Sequence, residues 1–205
     1  MGIIMDLLPV ERDRIELVRN DREMYEQLAY EKNVWIRISR ESMASPTKRL
    51  DGQRMAFLTN CYSDLNLSLT LNKDWDLLHY LLTGTSEDVE GMLLSKVVLG
   101  GEKLFSDQQW SYGPPVLLSV EETQEVAQAL AAVPIETIIE RYQPEVIIER
   151  CYNISTSQED RFSYQQALAH LKEDGYAYYW QRIRKISNYY SLAAGQSMGM
   201  LKSLG

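Results

Sequence analysis

The sequence predicts a single α+β domain, in which a small mixed or antiparallel sheet packs against several helices and the C-terminal half is helical. Its 205 residues are 45% hydrophobic and 24% charged, typical of one soluble globular domain. Leucine occupies every second position from Leu65 to Leu71, a pattern typical of a strand. From Ser119 onward, helix signals follow one another without strands between them, which argues against regular βαβ alternation.

The N-terminal third is predicted to contain two helices followed by short strands. Residues 9–32 show helical apolar spacing, with Pro9 suited to a first helical turn and a break at Asn20 and Asp21. Residues 40–54 combine serine, proline and glycine with basic residues and favour a loop. Three segments favour strands, namely residues 34–39, 55–60 and 65–71.

The middle of the chain is predicted to hold one well-bounded helix. Residues 73–83 favour a helix that Asn72 caps, with Gly84 placed to end it in a left-handed conformation. The next segments are less regular: residues 92–99 as a strand or a short helix, residues 102–115 as a long loop and residues 116–118 as an extended piece.

The C-terminal half is predicted to be a succession of helices. Ser119 and Glu122 form a capping box that opens a helix to about Val133. Further helices are expected from Pro134 to Tyr142, from Pro144 to about Cys151, from a second capping box at Thr156 and Glu159 to Asp174, and from Tyr176 to about Ala194. Residues 195–205 are rich in glycine and serine, and we expect a loosely held tail there.

Charge and cysteine content exclude several classes of protein. The chain has 21 basic and 29 acidic residues, a net charge of −8, which disfavours non-specific nucleic-acid binding. Cys61 and Cys151 show neither a metal-binding spacing nor a disulfide framework. Apolar runs are too short for a membrane span, and there is no secretion signal, so a cytoplasmic protein is expected.

The last predicted helix interleaves aromatic and basic residues. That composition suits single-stranded nucleic acid, but helical spacing collects most of the aromatic and apolar residues into one stripe: Tyr176, Tyr179, Trp180, Ile183, Ile186 and Tyr190. Arg182, Arg184 and Lys185 fall mostly off it. Core packing is the favoured interpretation, with a protein partner as the alternative. The oligomeric state stays open, and a homodimer is one alternative.

Four short motifs carry a resemblance to a known family. The motifs are Trp75–Gly84, Gly100-Gly101-Glu102, Tyr112-Gly113-Pro114 and Leu118–Val126. On these motifs the chain resembles the YfbM-like family of bacterial proteins, well over residues 69–145 and loosely over residues 1–30. Residues 34–66 look like a variable insertion. The resemblance implies a compact α+β domain of the bacterial cytoplasm and supplies no catalytic residues.

His79 is the leading candidate for chemistry. It shares an apolar helix face with Trp75, and Asp76 lies three residues earlier, within reach of orienting an imidazole. With Tyr112 nearby, His79 would be a general base or a ligand. The alternative is a buried histidine bonded to a carbonyl for structural reasons. His170 shows no spacing that pairs with His79, so no metal site is expected, and no cofactor is expected either.

Two glycine-containing segments are candidates for ligand contact. Gly100, Gly101 and Gly113 could expose backbone N–H groups to an anion, with Trp75 and Tyr112 alongside. Neither segment matches a nucleotide-binding motif, and glycines required by turns are the alternative explanation.

Two functions from different classes follow. The first is a non-enzymatic protein-binding or regulatory protein, for example an immunity-like one, whose acidic surface attracts a basic partner. The second is a small-molecule enzyme or ligand-binding protein that uses His79 with Asp76 and Tyr112. An enzyme requires His79 in an open cavity, whereas a binding protein does not.

Overall fold

A computed structural model describes residues 5–32, 65–66, 68–72, 74–107, 112–151 and 175–204. The predicted strands at residues 34–39 and 55–60, the loop at 40–54 and the insertion at 34–66 therefore lie mostly or wholly outside the described residues. The same holds for the second capping box with its helix, and for Cys61 and His170. Within the described residues, the α+β class is confirmed, and the sheet is antiparallel.

Five strands form one sheet. In chain order they are β1 (Met5–Val10), β2 (Leu69–Asn72), β3 (Glu102–Lys103), β4 (Val116–Leu118) and β5 (Gly199–Leu204). Their spatial order is β2-β1-β5-β4-β3, and every neighbouring pair is antiparallel. The longest pairing joins β1 to β5, from Met5 opposite Leu204 to Val10 opposite Gly199. The sheet is therefore built around two strands that lie almost 200 residues apart in sequence.

Helices cover both faces of the sheet. They are α1 (Ile15–Asn20), α2 (Arg22–Lys32), α3 (Trp75–Thr83), α4 (Val120–Ala131), α5 (Ile135–Arg141), α6 (Pro144–Arg150) and α7 (Gly175–Gly195), with 3-10 turns at Arg12–Arg14 and Leu93–Val97. One face, with Leu7 and Met200, packs on α3, α4 and α7. The other face, with Leu8 and Leu201, packs on α1 and α2. Burial on both sides explains why β1 is almost entirely apolar.

Several local predictions are confirmed. The Ser119 hydroxyl accepts from the Glu122 N–H, and the Glu122 carboxylate accepts from the Ser119 N–H, so the capping box opens α4. Gly84 ends α3 in a left-handed conformation with φ of 82°. Helices α5, α6 and α7 have nearly the predicted bounds. The inner residues of the aromatic stripe are buried, as core packing requires: Tyr179, Ile183, Ile186 and Tyr190.

Three N-terminal and central predictions need correction. Pro9 lies in β1 rather than in a helix, and its carbonyl accepts from Lys32 Nζ at 2.7 Å. In an antiparallel strand, the N–H and C=O of one residue point to the same side. The Pro9 carbonyl points toward Lys32, so an N–H at this position would also point away from β5. Proline therefore removes no hydrogen bond to β5. Asn72 ends β2, and Asp74 is the N-cap of α3. The strand predicted at 65–71 is assigned only from Leu69. By contrast, the segment 92–99, predicted as a strand or a short helix, contains a short 3-10 helix, in agreement with the second alternative.

The predicted loose tail at 195–205 also needs correction. Helix α7 continues to Gly195, and β5 occupies an interior position of the sheet between β1 and β4. Glycine and serine content suggested mobility, but a strand with neighbours on both sides satisfies its backbone groups by pairing. Lys202 is buried within that strand.

A cavity around a buried lysine

A cavity of about 220 Å³ opens beside the C-terminal end of β5. Strands β1 and β5, the turn after residue 97 and the connection between β3 and β4 form its walls. Six of the twelve lining residues are apolar: Met5, Val98, Leu99, Pro114, Val116 and Leu204. The remaining lining residues are Asp88, Lys103, Tyr112, Gly113, Lys202 and Ser203. Cavities of this kind, apolar with a few convergent polar groups, are where small molecules bind.

Lys202 is the most unusual of the lining residues. Only 1% of its surface is exposed, because its side chain lies on the sheet face that α3, α4 and α7 cover. Its ammonium nitrogen donates to the carbonyl of Lys96 at 2.6 Å and to the carbonyl of Gly100. Burial is the largest cause that lowers the pKa of Lys202, and the charge of Lys96 acts in the same direction, while the carboxylates of Asp88 and Glu122 oppose them. The net pKa is about 7.

Asp88 is held in place by a hydrogen bond from a neighbouring serine. Its Oδ1 accepts from the Ser95 hydroxyl at 2.6 Å, and that hydroxyl in turn accepts from the backbone N–H of Val89 at 3.0 Å. The carboxylate acts electrostatically on Lys202, where it favours the charged amine. Asp88 therefore balances part of the positive charge in the cavity from a fixed position.

The capping box of α4 is connected by hydrogen bonds to the polar residues around Lys202. Lys96 donates to Glu122 Oε1 at 2.8 Å, while the other Glu122 oxygen accepts from the Ser119 N–H. Burial raises the pKa of Glu122, but the bonds from Lys96 and Ser119 outweigh burial, and the net pKa is lowered. The start of α4 thus fixes Lys96, whose carbonyl holds the Lys202 amine.

His79 is fully buried in α3 and does not line this cavity. Its Nε2 lies 2.9 Å from the carbonyl of Glu87, which can only accept, so Nε2 carries the proton. Its Nδ1 has no hydrogen-bond partner among the described residues. Burial lowers the pKa of His79, the charge of Lys202 also lowers it, and Glu87 and Asp88 oppose them. The histidine lies behind the cavity wall as an electrostatic neighbour of Lys202.

The predicted His79–Asp76 pair does not form. Asp76 is buried, and its Oδ1 accepts from the backbone N–H of Leu77 at 2.8 Å. The His79 Nε2 bonds to the Glu87 carbonyl, and Nδ1 has no hydrogen-bond partner among the described residues, so neither ring nitrogen bonds to Asp76. Trp75 is buried at the start of α3 and is not among the cavity lining. These three candidates therefore lie away from the opening.

The loop candidates separate into two groups. Tyr112, 47% exposed, and Gly113, with φ of 100°, both line the cavity. Gly100 supplies a carbonyl to Lys202. Gly101 has a structural role, because a Cβ there would lie 2.9 Å from the carbonyl oxygen of Leu117 in β4. The structure thus brings Tyr112, Gly113 and the Gly100 carbonyl together around Lys202.

Lys202, Asp88 and Lys103 were not among the site residues predicted from the sequence. A usable signal existed for the first: Lys202 interrupts the run Met200-Leu201-Lys202-Ser203-Leu204, where a buried strand would place an apolar side chain. Among the described residues, no group of three histidine, cysteine, aspartate or glutamate side chains is arranged to hold a metal ion. In the same part of the chain, no helix combines the length and apolar character that a membrane crossing requires.

Comparisons with known proteins agree with the fold. The family model described as "Domain of unknown function (DUF1877)" matches residues 1–202. The crystal structure of YfbM from Escherichia coli, a protein of unknown function, is similar with a TM-score of 0.58 at 16% sequence identity, covering 100% of both chains. No curated protein matches the chain. The sequence resemblance to YfbM-like proteins is confirmed, and the likeness in structure extends to the fold alone.

Proposed function

The chain belongs to the family described as domain of unknown function DUF1877, and from its cavity we propose that it binds a small organic molecule carrying an anionic group. The observation that carries this proposal is the buried Lys202 amine in the lining of a largely apolar cavity. An amine in such a place is expensive to keep charged unless a partner of opposite charge accompanies it.

Charge within the cavity favours an anion. Its lining holds two lysines, Lys103 and Lys202, against one aspartate, Asp88, so it is net positive when both lysines are protonated. The whole chain has a net charge of −8. A positive cavity in a negative protein selects ligands by charge, and the apolar walls would contact the rest of the ligand.

Binding of an anion should depend on pH in a defined direction. The protonated amine attracts an anion, whereas the neutral amine does not. Since the pKa of Lys202 is about 7, affinity should fall as the pH rises through about 7. Conversely, a bound anion raises the pKa of Lys202, so binding near neutral pH takes up protons from the buffer.

The test is a binding titration with small carboxylates, for example glycolate and propionate, followed by NMR chemical shifts. Propionamide serves as the uncharged analogue. We expect carboxylates to bind the native protein and Lys185→Met, an exposed lysine of α7 used as the matched control. Lys202→Met should bind them at least about tenfold more weakly, the loss of roughly one charge-assisted contact. Equal affinity in the two variants, or no shift with any carboxylate, would contradict the proposal.

A second candidate function is a non-enzymatic role in protein binding or regulation, with a basic partner protein. An immunity-like protein is one example of such a role. Its support is the net charge of −8, which would attract such a partner over long range. The proposed compartment is the cytoplasm, where the buried thiol of Cys151 would stay reduced. Capture of a stoichiometric basic protein from bacterial lysate, weakening as salt rises, would support this role. Capture that does not change with salt would contradict it.

A further inference from the structure

We infer that Lys202 is a nucleophile that forms a reversible imine with a small aldehyde or ketone in this cavity. The inference rests on the proposed binding function and names the class of ligand: a carbonyl compound that also carries an anionic group. Three features of the described residues lead to it: the hydrogen bonds of the amine, its protonation and the character of the walls.

The hydrogen bonds leave one position on the nitrogen for a ligand. A neutral amine has two hydrogens, and Lys202 Nζ has two carbonyl acceptors, those of Lys96 and Gly100. The remaining position of the tetrahedral nitrogen then holds the lone pair. Because two bonds fix the nitrogen, the lone pair is fixed as well. Lys202 lines the cavity while its hydrogens are held by backbone, so the lone pair is the group left for a ligand.

The electrostatic neighbours of Lys202 allow the neutral amine at physiological pH. Asp88 and Glu122 favour the charged form, whereas burial and Lys96 disfavour it, and the pKa is about 7. His79, behind the wall, has a lowered pKa and adds no charge at neutrality. About half of the Lys202 amines are therefore neutral at pH 7, against roughly one in two or three thousand for a surface lysine. Desolvated lysines of this kind are the ones that attack carbonyls.

The reaction needs no oxidant, reductant or cofactor. The Nζ lone pair attacks the carbonyl carbon, the C=O π pair moves to oxygen, and that oxygen takes a proton from nitrogen to give a carbinolamine. A proton from the solvent then converts the carbinolamine hydroxyl into a leaving water, whose departure forms the C=N bond. The product is a protonated imine, which keeps one N–H for a backbone carbonyl. The apolar walls limit access of water, which would reverse the reaction. Lys103, exposed at the opening, is placed to pair with the anionic group.

The experiment uses the full chain, with glyoxylate as the probe and cyanoborohydride to reduce any imine to a stable carboxymethyl-lysine. Peptide mapping by mass spectrometry then locates the adduct. At pH 7 we expect Lys202 to be modified at least about tenfold faster than Lys103 or Lys185, even though its burial slows access. The rate at Lys202 should level off above about pH 8, while the rate at exposed lysines keeps rising. Lys185→Met, outside the cavity, should retain the adduct at Lys202.

Glycolate, which has the same anionic group without a carbonyl, separates this inference from the proposed function. Binding of glycolate without an adduct at Lys202 would overturn the imine and leave the binding function standing. Failure of both would overturn both. An adduct at Lys202 that forms no faster than on exposed lysines, or without a plateau in its pH profile, would also overturn the inference. These comparisons are made within the native protein, so they stand even where Lys202→Met fails to fold.

Discussion

Lys202→Met should reduce the rise of folding stability with pH above neutrality. Methionine has a similar length and no titratable group, so it fills the same apolar space beside β5 without a charge. The native amine, by contrast, changes its pKa on folding, from an ordinary value near 10.5 to about 7. The difference between the two pH profiles in this range is then due mainly to Lys202, because the two groups that its charge affects, His79 and Glu122, have lowered pKa values below neutrality.

The sign and size follow from proton linkage. Between pH 7 and about 10.5 the unfolded chain holds a proton on Lys202 that the folded protein has released, so the free energy of unfolding rises with pH. Each pH unit with full release contributes roughly 1.4 kcal/mol. Because half of the folded molecules have already lost the proton at pH 7, the gain from pH 7 to pH 9 is about 2 kcal/mol.

Urea unfolding at pH 7, 8 and 9, followed by circular dichroism, measures this gain. The buried tyrosines Tyr179 and Tyr190, whose pKa values burial raises, act in the opposite direction at high pH, but they act equally in both proteins. We therefore expect the native protein to gain about 2 kcal/mol relative to Lys202→Met over this range. Parallel profiles would refute the reasoning, since Lys202 would then stay charged in the fold, held by the Lys96 and Gly100 carbonyls.

Three further predictions concern other parts of the chain. Ser119→Ala removes the oxygen that accepts from the Glu122 N–H at 3.1 Å and should cost about 1 kcal/mol in urea unfolding, whereas Ser119→Asp should keep most of the stability. Gly101→Ala should lower the free energy of unfolding by at least about 1 kcal/mol more than Gly113→Ala does. Both glycines have a positive φ, but only a Cβ at Gly101 would meet β4. Equal losses of stability in the two variants would contradict this. The thiol of Cys151, whose pKa burial raises to about 12, should resist iodoacetamide at pH 8 until the protein unfolds, and rapid labelling of native protein would contradict that burial.

Features set by near neighbours in sequence were predictable. The Ser119 capping box, the left-handed Gly84 and the helices that start after Pro134 and at Pro144 all depend on contacts within a few residues. The buried stripe of α7 was predictable as well, because helical periodicity places Ile183 and its neighbours on one face. In each case the local chemistry agrees with the tertiary structure.

The two longest strands were not predictable from local patterns. Both faces of β1 are covered, so its apolar run lacks the alternation typical of a half-buried strand. Strand β5 lies in a segment rich in glycine and serine, a composition that predicts a loosely held tail. Each of these strands is stabilised by pairing with the other, which lies almost 200 residues away in sequence. A prediction from neighbouring residues cannot include both strands.

The candidate site was missed for a related reason. The environment of Lys202 comes from Lys96 and Gly100, carbonyls located more than 100 residues earlier in the chain. Asp88 is fixed by Ser95 through a turn that has no motif in the sequence. His79, by contrast, attracted attention because histidine is often functional, yet its Nε2 bonds to a backbone carbonyl inside the core. Burial of an ordinary lysine was the informative signal, and only tertiary structure reveals it.

The pairing of β1 with β5 has a consequence for the order of events during synthesis. Strand β1 leaves the ribosome well before its partner, because the strand that pairs with it along its whole length is made almost 200 residues later. Until then the two halves of the sheet, β2-β1 and β4-β3, have no strand to join them. The sheet should therefore fold slowly and only after β5 has been made, and nascent chains that end before residue 199 should depend on chaperones to shield the apolar edge of β1.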